Sequence, residues 1–242
     1  MILNKIYRRF KEIKIFDLKY IVVEIALIFA GITLAAKYNN YQNQLKDEIF
    51  LEETIRQIYD ELKKDSLANY YYCKGQTQKK EDIEVIKQVF LDKNESRLDS
   101  EELKNIFKLL PNTISISNIK LGYQRLSDKN INLIKNNSLK RALIEYYATM
   151  DYNVKDVEGF NRNILEIKPF ISKHFRNYVQ FENYDAIIDA KNLMNDDVFL
   201  NYLNFIKSDM QLSIDTYNVF FVKKNSKLIH DLEIEYSFLK EE

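Results

Sequence analysis

Glu24 is the one ionisable side chain in the apolar run Tyr20–Ala36. A carboxylate within an apolar helix costs about 2.5 kcal/mol or more near the centre of a bilayer, so it usually faces protein or water. One face of this helix, called here the Glu24 line, carries an acid, two small residues and a polar C-terminal end. Its members are Glu24, Ile28, Gly31, Ala35, Tyr38 and Gln42. Its first five residues predict a pore lining in a homo-oligomer, because rings of acids favour cations.

The Glu24 line admits two other interpretations. Its small residues also suit close packing between helices without conduction. Because Glu24 lies near the start of the run, it can instead reach the cytoplasmic interface or pair with Lys19. The sequence therefore leaves two functions open: a ligand-gated pore or ion-channel effector, and a non-conducting membrane-tethered scaffold or sensor of the cell envelope.

The densest basic cluster precedes the apolar run. If several chains assemble, for example as a tetramer, these cations crowd the cytoplasmic mouth and bind phosphates. The ligand we expect is a nucleotide or short oligonucleotide from a partner synthase. The other interpretation is that the cluster only sets topology and contacts lipid. Its members are Lys5, Arg8, Arg9, Lys11 and Lys14.

No pattern typical of an enzyme is present in the sequence. The four glycines are too far apart for a phosphate-binding loop, and the two histidines and the single cysteine have no companion motif. Asp231, Glu233 and Glu235 lack a neutral ligand that would favour a metal site. Equal numbers of basic and acidic side chains, 36 of each, exclude a global field that recruits nucleic acid. We expect no catalysis, no metal and no cofactor.

The apolar run has the dimensions of a membrane span. As a helix it is about 25 Å long, and the stems of Lys19 and Lys37 extend its reach toward both headgroup layers. Apolar residues cover every face, which favours a membrane span. No Ala-x-Ala-like cleavage site is followed by a polar mature start, so we interpret the span as an uncleaved anchor. Six basic residues precede it and three follow within twenty positions, which predicts a cytoplasmic N-terminus and a C-terminal domain outside the cytoplasm of a bacterial inner membrane.

The rest of the chain predicts an all-α protein, in which one transmembrane helix continues into a helical-bundle soluble domain. Four Gly and two Pro in 242 residues favour helices throughout. We divide the chain into a basic segment (1–19), the span (20–36), an exit helix (37–69) and the soluble domain (70–242). An apolar stripe in the exit helix predicts either self-association or packing on the chain's own domain. The stripe comprises Leu45, Ile49, Glu52, Ile55, Ile58/Tyr59 and Leu62.

Local signals place further boundaries. Tyr70–Gly75 predicts a bend, Asp99 and Glu102 form a capping-box pattern, and Thr113–Lys120 alternates like a short extended stretch. The predicted helices then run over Tyr123–Lys135, Ser138–Asn163 and on to Phe181 with a break at Pro169, Tyr184–Met194, and Asp196–Lys240.

Two stretches resemble a family of uncharacterised bacterial single-span membrane proteins. The anchor matches as Glu24-Ile25-x-Leu27…Gly31-Ile32-x-Leu34-Ala35-x-x-x-Asn39-Asn40. The second match is Tyr123-x-x-Leu126…Leu133-Ile134-x-Asn136-x-x-Leu139-Lys140…Tyr146-Tyr147, called here the Tyr motif. The resemblance implies a helical soluble domain and no assigned enzymatic activity, and it departs at Lys129-Asn130, where the family has Ser-Gly. The build is also similar to membrane effectors of antiphage nucleotide-signalling systems.

Overall fold

The computed structural model describes residues 15–98, 100–113, 119–126, 130–176, 186–187 and 189–240. The fold is all-α, as the composition predicts, apart from one pair of two-residue strands. The helices are α1 (Ile15–Leu91), α2 (Glu95–Leu98), α3 (Glu101–Leu109), α4 (Leu121–Arg125), α5 (Asn137–Leu165), α6 (Lys168–His174), α7 (Ala190–Met194), α8 (Asp197–Tyr217) and α9 (Lys223–Glu235). The strands β1 (Phe175–Arg176) and β2 (Ala186–Ile187) pair antiparallel.

The chain divides into two compact units, Met1–Glu53 and Thr54–Glu242. In the first unit, the described side chains from Lys19 to Tyr41 are all exposed. An 18-residue window of this helix has a mean hydropathy of 1.9, and none of it is buried. By length and composition it is the one described helix that can cross a membrane, and the same properties suit a signal sequence.

The second unit is built on the C-terminal part of α1. Ile55, Ile58 and Leu62 are completely buried there, whereas Ile49 in the first unit is exposed. The apolar stripe of the exit helix therefore packs on the chain's own domain from Ile55 onward, which is one of the two expected outcomes. Farther along α1, Ile83 and Ile86 belong to a hydrophobic cluster with residues of α3, α6 and α8, among them Phe107, Ile171 and Phe199.

Side-chain caps fix several helix starts. Ser100 accepts a hydrogen bond from the Leu103 amide at the start of α3. Asp99, the cap that the sequence predicted for this helix, lies outside the described residues. Asp196 accepts two amides at the start of α8, which confirms the predicted helix start there. Pro169 lies at the start of α6, so it marks a helix boundary as expected.

Several predicted boundaries are wrong. Tyr70–Gly75 contains no bend, because packing along the buried face holds α1 helical through Gly75 to Leu91. The region predicted as one helix over Tyr123–Lys135 is not one helix: its described residues form the end of α4 and a 3₁₀ turn, Asn130–Leu133. The helix predicted to reach Phe181 ends at His174, where β1 begins. Residues 114–118 of the expected extended stretch lie outside the described part of the chain.

Candidate functional site: the Glu24 line and a buried acid pair

The Glu24 line is exposed along its whole predicted pore-lining length in the single chain. A Cβ added at Gly31 would meet no atom within 4 Å, so this face is open to another helix. Among the residues that the structure describes, Glu24 and Lys19 form no ion pair with each other. The predicted phosphate ligands Lys5, Arg8, Arg9, Lys11 and Lys14 lie outside the described residues.

A second candidate site lies inside the Thr54–Glu242 unit. Glu61 and Asp65 are one helical turn apart on α1, and both are buried: 4% and 0% of their surfaces are exposed. Neither carboxylate makes an ion pair with any residue that the structure describes. We call these two residues the acid pair. Burying two carboxylates without a cation is costly, because charge is poorly solvated in the protein interior.

Neutral donors hold Glu61. The backbone N–H of Gly122 donates to its two oxygens at 2.8 and 3.1 Å. The side-chain amide of Gln57 donates to the Oε1 atom of Glu61 at 3.2 Å, and Arg125 donates to the other end of that amide. Glu61 therefore ties the start of α4 to α1 through hydrogen bonds that suit an ionised carboxylate.

Asp65 has poorer hydrogen bonding. Burial, followed by the nearby charge of Glu61, raises the pKa of Asp65 from 3.8 to about 7, and Tyr146 and the backbone of Ile119 oppose that rise. The Tyr146 hydroxyl donates a long hydrogen bond of 3.5 Å to its Oδ2 atom. The Oδ1 atom has no hydrogen-bond partner among the described residues. Protonation removes the charge that this site solvates badly.

Asn225 extends the network to α9. Its side-chain amide donates to the Tyr146 hydroxyl and to the carbonyl oxygen of Leu62, both at 3.0 Å. Asn225 is itself buried, so these hydrogen bonds are protected from competing water. The acid pair is thus connected to α4, α5 and α9 by hydrogen bonds.

Two tyrosines of the Tyr motif lie beside the acid pair. Tyr123 stacks on Tyr147 with ring centroids 4.2 Å apart, and Tyr146 and Tyr147 are both buried. Asn136 caps α5 by accepting the amides of Ser138 and Leu139 at 3.0 and 3.1 Å. These contacts give the Tyr motif a structural explanation: Tyr146 and Tyr147 lie beside the two buried carboxylates, and Asn136 fixes the start of the helix that carries them.

Gly122 is required by close approach. A Cβ at this position would lie 2.9 Å from both the backbone nitrogen and the Cγ1 atom of Ile58. Only glycine lets the backbone of α4 come close enough to α1 for its N–H to reach Glu61.

Sequence reasoning missed the acid pair, although a signal exists. Asp65 and Asn69 continue the face of α1 that carries Ile58 and Leu62, so acidic and amide side chains occupy positions where the pattern requires apolar ones. The buried face then carries further polar side chains before it becomes apolar again at Ile83. They are Asn69, Gln76 and Lys79.

The other candidates have structural explanations. His174 is buried and bonds Asp196, the cap of α8, at 3.2 Å, whereas His230 is exposed. Burial raises the pKa of Cys73, which disfavours the reactive thiolate. No group of three or more metal-ligating side chains occurs among the described residues.

No protein-family model, curated protein or solved structure matches this chain significantly.

Proposed function

We propose that this chain is a single-span, self-associating membrane protein that acts as a membrane-tethered sensor. The observation that carries the proposal is that one uninterrupted helix, α1, contains both the exposed apolar run and the buried acid pair. A change in the charge of the acid pair therefore acts on the same helix that we propose enters the membrane. The resemblance to single-span membrane proteins supports the same architecture.

The Glu24 line supports self-association. Gly31 and Ala35 are four residues apart, the spacing at which small side chains let two membrane helices pack closely. An exposed carboxylate on the same line needs a polar partner in a membrane, and a second copy supplies one.

Self-association is tested with a bulky side chain on this line. We expect Gly31→Ile to reduce the oligomer mass of the detergent-solubilised protein, measured by light scattering after size-exclusion chromatography. Ala26→Ile is the matched control, because Ala26 lies about 140° away around the helix. A monomeric wild-type protein, or equal loss in both variants, would contradict the proposal.

A second candidate function is a cation pore, favoured by the exposed Glu24 carboxylate, which has no ion-pair partner among the described residues. In this case Glu24→Gln changes cation conductance in planar bilayers and leaves the oligomer mass unchanged, because the ring loses its charge and keeps its shape. A protein that is silent in bilayers supports the sensor instead.

The pore proposal includes a trigger. A phosphate-bearing nucleotide or oligonucleotide would bind the basic segment at Arg8 and Arg9, and its binding would weaken steeply with salt. The double substitution Arg8→Ala/Arg9→Ala should abolish this binding. If ligand binding and conductance are unchanged in that variant, the basic cluster sets topology and does not bind the ligand. A role in antiphage defence rests on the resemblance alone.

A further inference from the structure

The acid pair has no ion-pair partner among the residues that the structure describes. Tyrosines of two other helices interact electrostatically with it: Tyr146 and Tyr147 on α5 and Tyr217 on α8. Tyr123 on α4 stacks on Tyr147. Burial raises the pKa of Tyr146, Tyr147 and Tyr217, so these hydroxyls stay protonated and neutral. The two cations of segment 119–126 are bonded to other groups: Arg125 donates to Gln57, and Lys120 pairs with Asp151. Lys63 and Lys64, which lie between the two acids in the sequence, are exposed.

The site also contains unused hydrogen-bonding groups. The hydroxyl of Tyr147, which is buried and lies within electrostatic range of Glu61 and Asp65, has no hydrogen-bond partner among the described residues. The same holds for Oδ1 of Asp65 and Oδ1 of Asn225. Two adjacent buried carboxylates with unfilled acceptor positions are stabilised by taking up one proton, which removes their mutual repulsion.

We propose that Glu61 and Asp65 together retain one proton in the folded protein, and that this proton holds segment 119–126 on α1. Asp65 carries the proton, because Glu61 already accepts the Gly122 and Gln57 donors that suit a carboxylate. When the pair loses the proton to solvent, both carboxylates are charged, and neither has an ion-pair partner among the described residues. Segment 119–126, in which the Gly122 amide is bonded to Glu61, is then bound less tightly to α1. This inference deepens the sensor proposal by naming the proton as its input.

The sign of the pH effect follows from linkage. Asp65 binds a proton more tightly when segment 119–126 is docked than when the site is open to water, where its pKa is about 3.9. Docking is therefore strongest at low pH and weakens as pH rises from about 4 to about 7. Above about 7 both states are ionised and the effect levels off.

Hydrogen–deuterium exchange of the full-length protein in detergent tests the inference. After correction for the intrinsic pH dependence of exchange, the protection of peptides covering 119–126 should fall about tenfold or more between pH 5 and pH 7 and then level off. Asp65→Asn mimics the protonated acid, so its protection should stay high across this range. Asp60→Asn, the same change at an exposed position of α1, should follow the wild-type curve.

Infrared difference spectroscopy supplies a second readout that does not depend on the variant folding. The wild-type protein should show a carboxylic-acid C=O band that disappears with a midpoint near pH 7 and is missing in Asp65→Asn. The inference is overturned if no such band titrates, or if wild-type and Asp65→Asn share one protection curve. Both measurements report on the acid pair and its contact with segment 119–126, so they can support the inference even if the protein does not insert in a membrane. Conversely, the membrane proposal can hold even if the acid pair retains no proton.

Discussion

Replacing Gly122 with alanine tests the contact between α4 and α1. The added methyl group would lie 2.9 Å from the backbone nitrogen of Ile58, which cannot move aside without distorting α1. Overpacking of this kind costs about 1–3 kcal/mol. If α4 shifts away instead, Glu61 loses the Gly122 amide, and a lost hydrogen bond to a charged group costs about 1.5–3 kcal/mol. In either case we expect Gly122→Ala to lower the free energy of unfolding by about 1–3 kcal/mol.

The assay is urea unfolding in detergent, followed by tyrosine fluorescence because the chain has 17 Tyr and no Trp. Gly159→Ala is the matched control: it lies within α5, and its new methyl group would find only a side-chain atom of Arg162 at 3.9 Å. We expect that variant to be stabilised by about 0.5–1 kcal/mol, since alanine favours the helix. If both variants change stability in the same direction by similar amounts, the close approach of Gly122 is not what fixes α4.

Two further predictions concern the Thr54–Glu242 unit. Lys79 is buried, and among the described residues its one hydrogen-bond acceptor is the Leu110 carbonyl. Burial lowers the pKa of Lys79 to about 8. Stability should therefore rise with pH from about 8 to 10.5, the range in which only the unfolded chain holds this proton. Calorimetry in detergent should show that Lys79→Met removes this rise and stabilises the protein near pH 7 by about 1–2 kcal/mol. Lys93 adopts a positive φ of 47° at the end of α1, so Lys93→Gly should raise the melting temperature, with a gain of about 1 kcal/mol. A lower melting temperature would contradict the role of this left-handed position.

Much of the fold follows from the sequence because helix signals are local. The apolar run, the Asp196 cap and the break at Pro169 are each read from a few neighbouring residues. The short α4 and the strands could not be predicted in this way. Their conformations depend on distant partners, such as Glu61 for the Gly122 amide and Ile187 for Phe175.

The same distinction between local signals and distant contacts applies to the candidate sites. Glu24 is conspicuous because its neighbours are apolar. Asp65 continues the face of α1 that carries Ile58 and Leu62, so its position is a signal in the sequence. The hydrogen bonds that link the acid pair to α4, α5 and α9 depend on the fold and could not be predicted. The Tyr motif was recognised as a pattern, and its explanation required the fold, because Tyr123 and Tyr147 meet only when α4 and α5 pack together.

Cysteine labelling in intact and permeabilised cells tests the membrane claim most directly. In a Cys73→Ser background, single cysteines would be placed at Asn4, before the apolar run, and at Asn201, an exposed position of α8. If the run spans the inner membrane with a cytoplasmic N-terminus, an impermeant maleimide labels position 201 from outside, and labels position 4 only after permeabilisation. Labelling of both positions from the same side, or release of the protein from membranes by alkaline carbonate, would contradict the account.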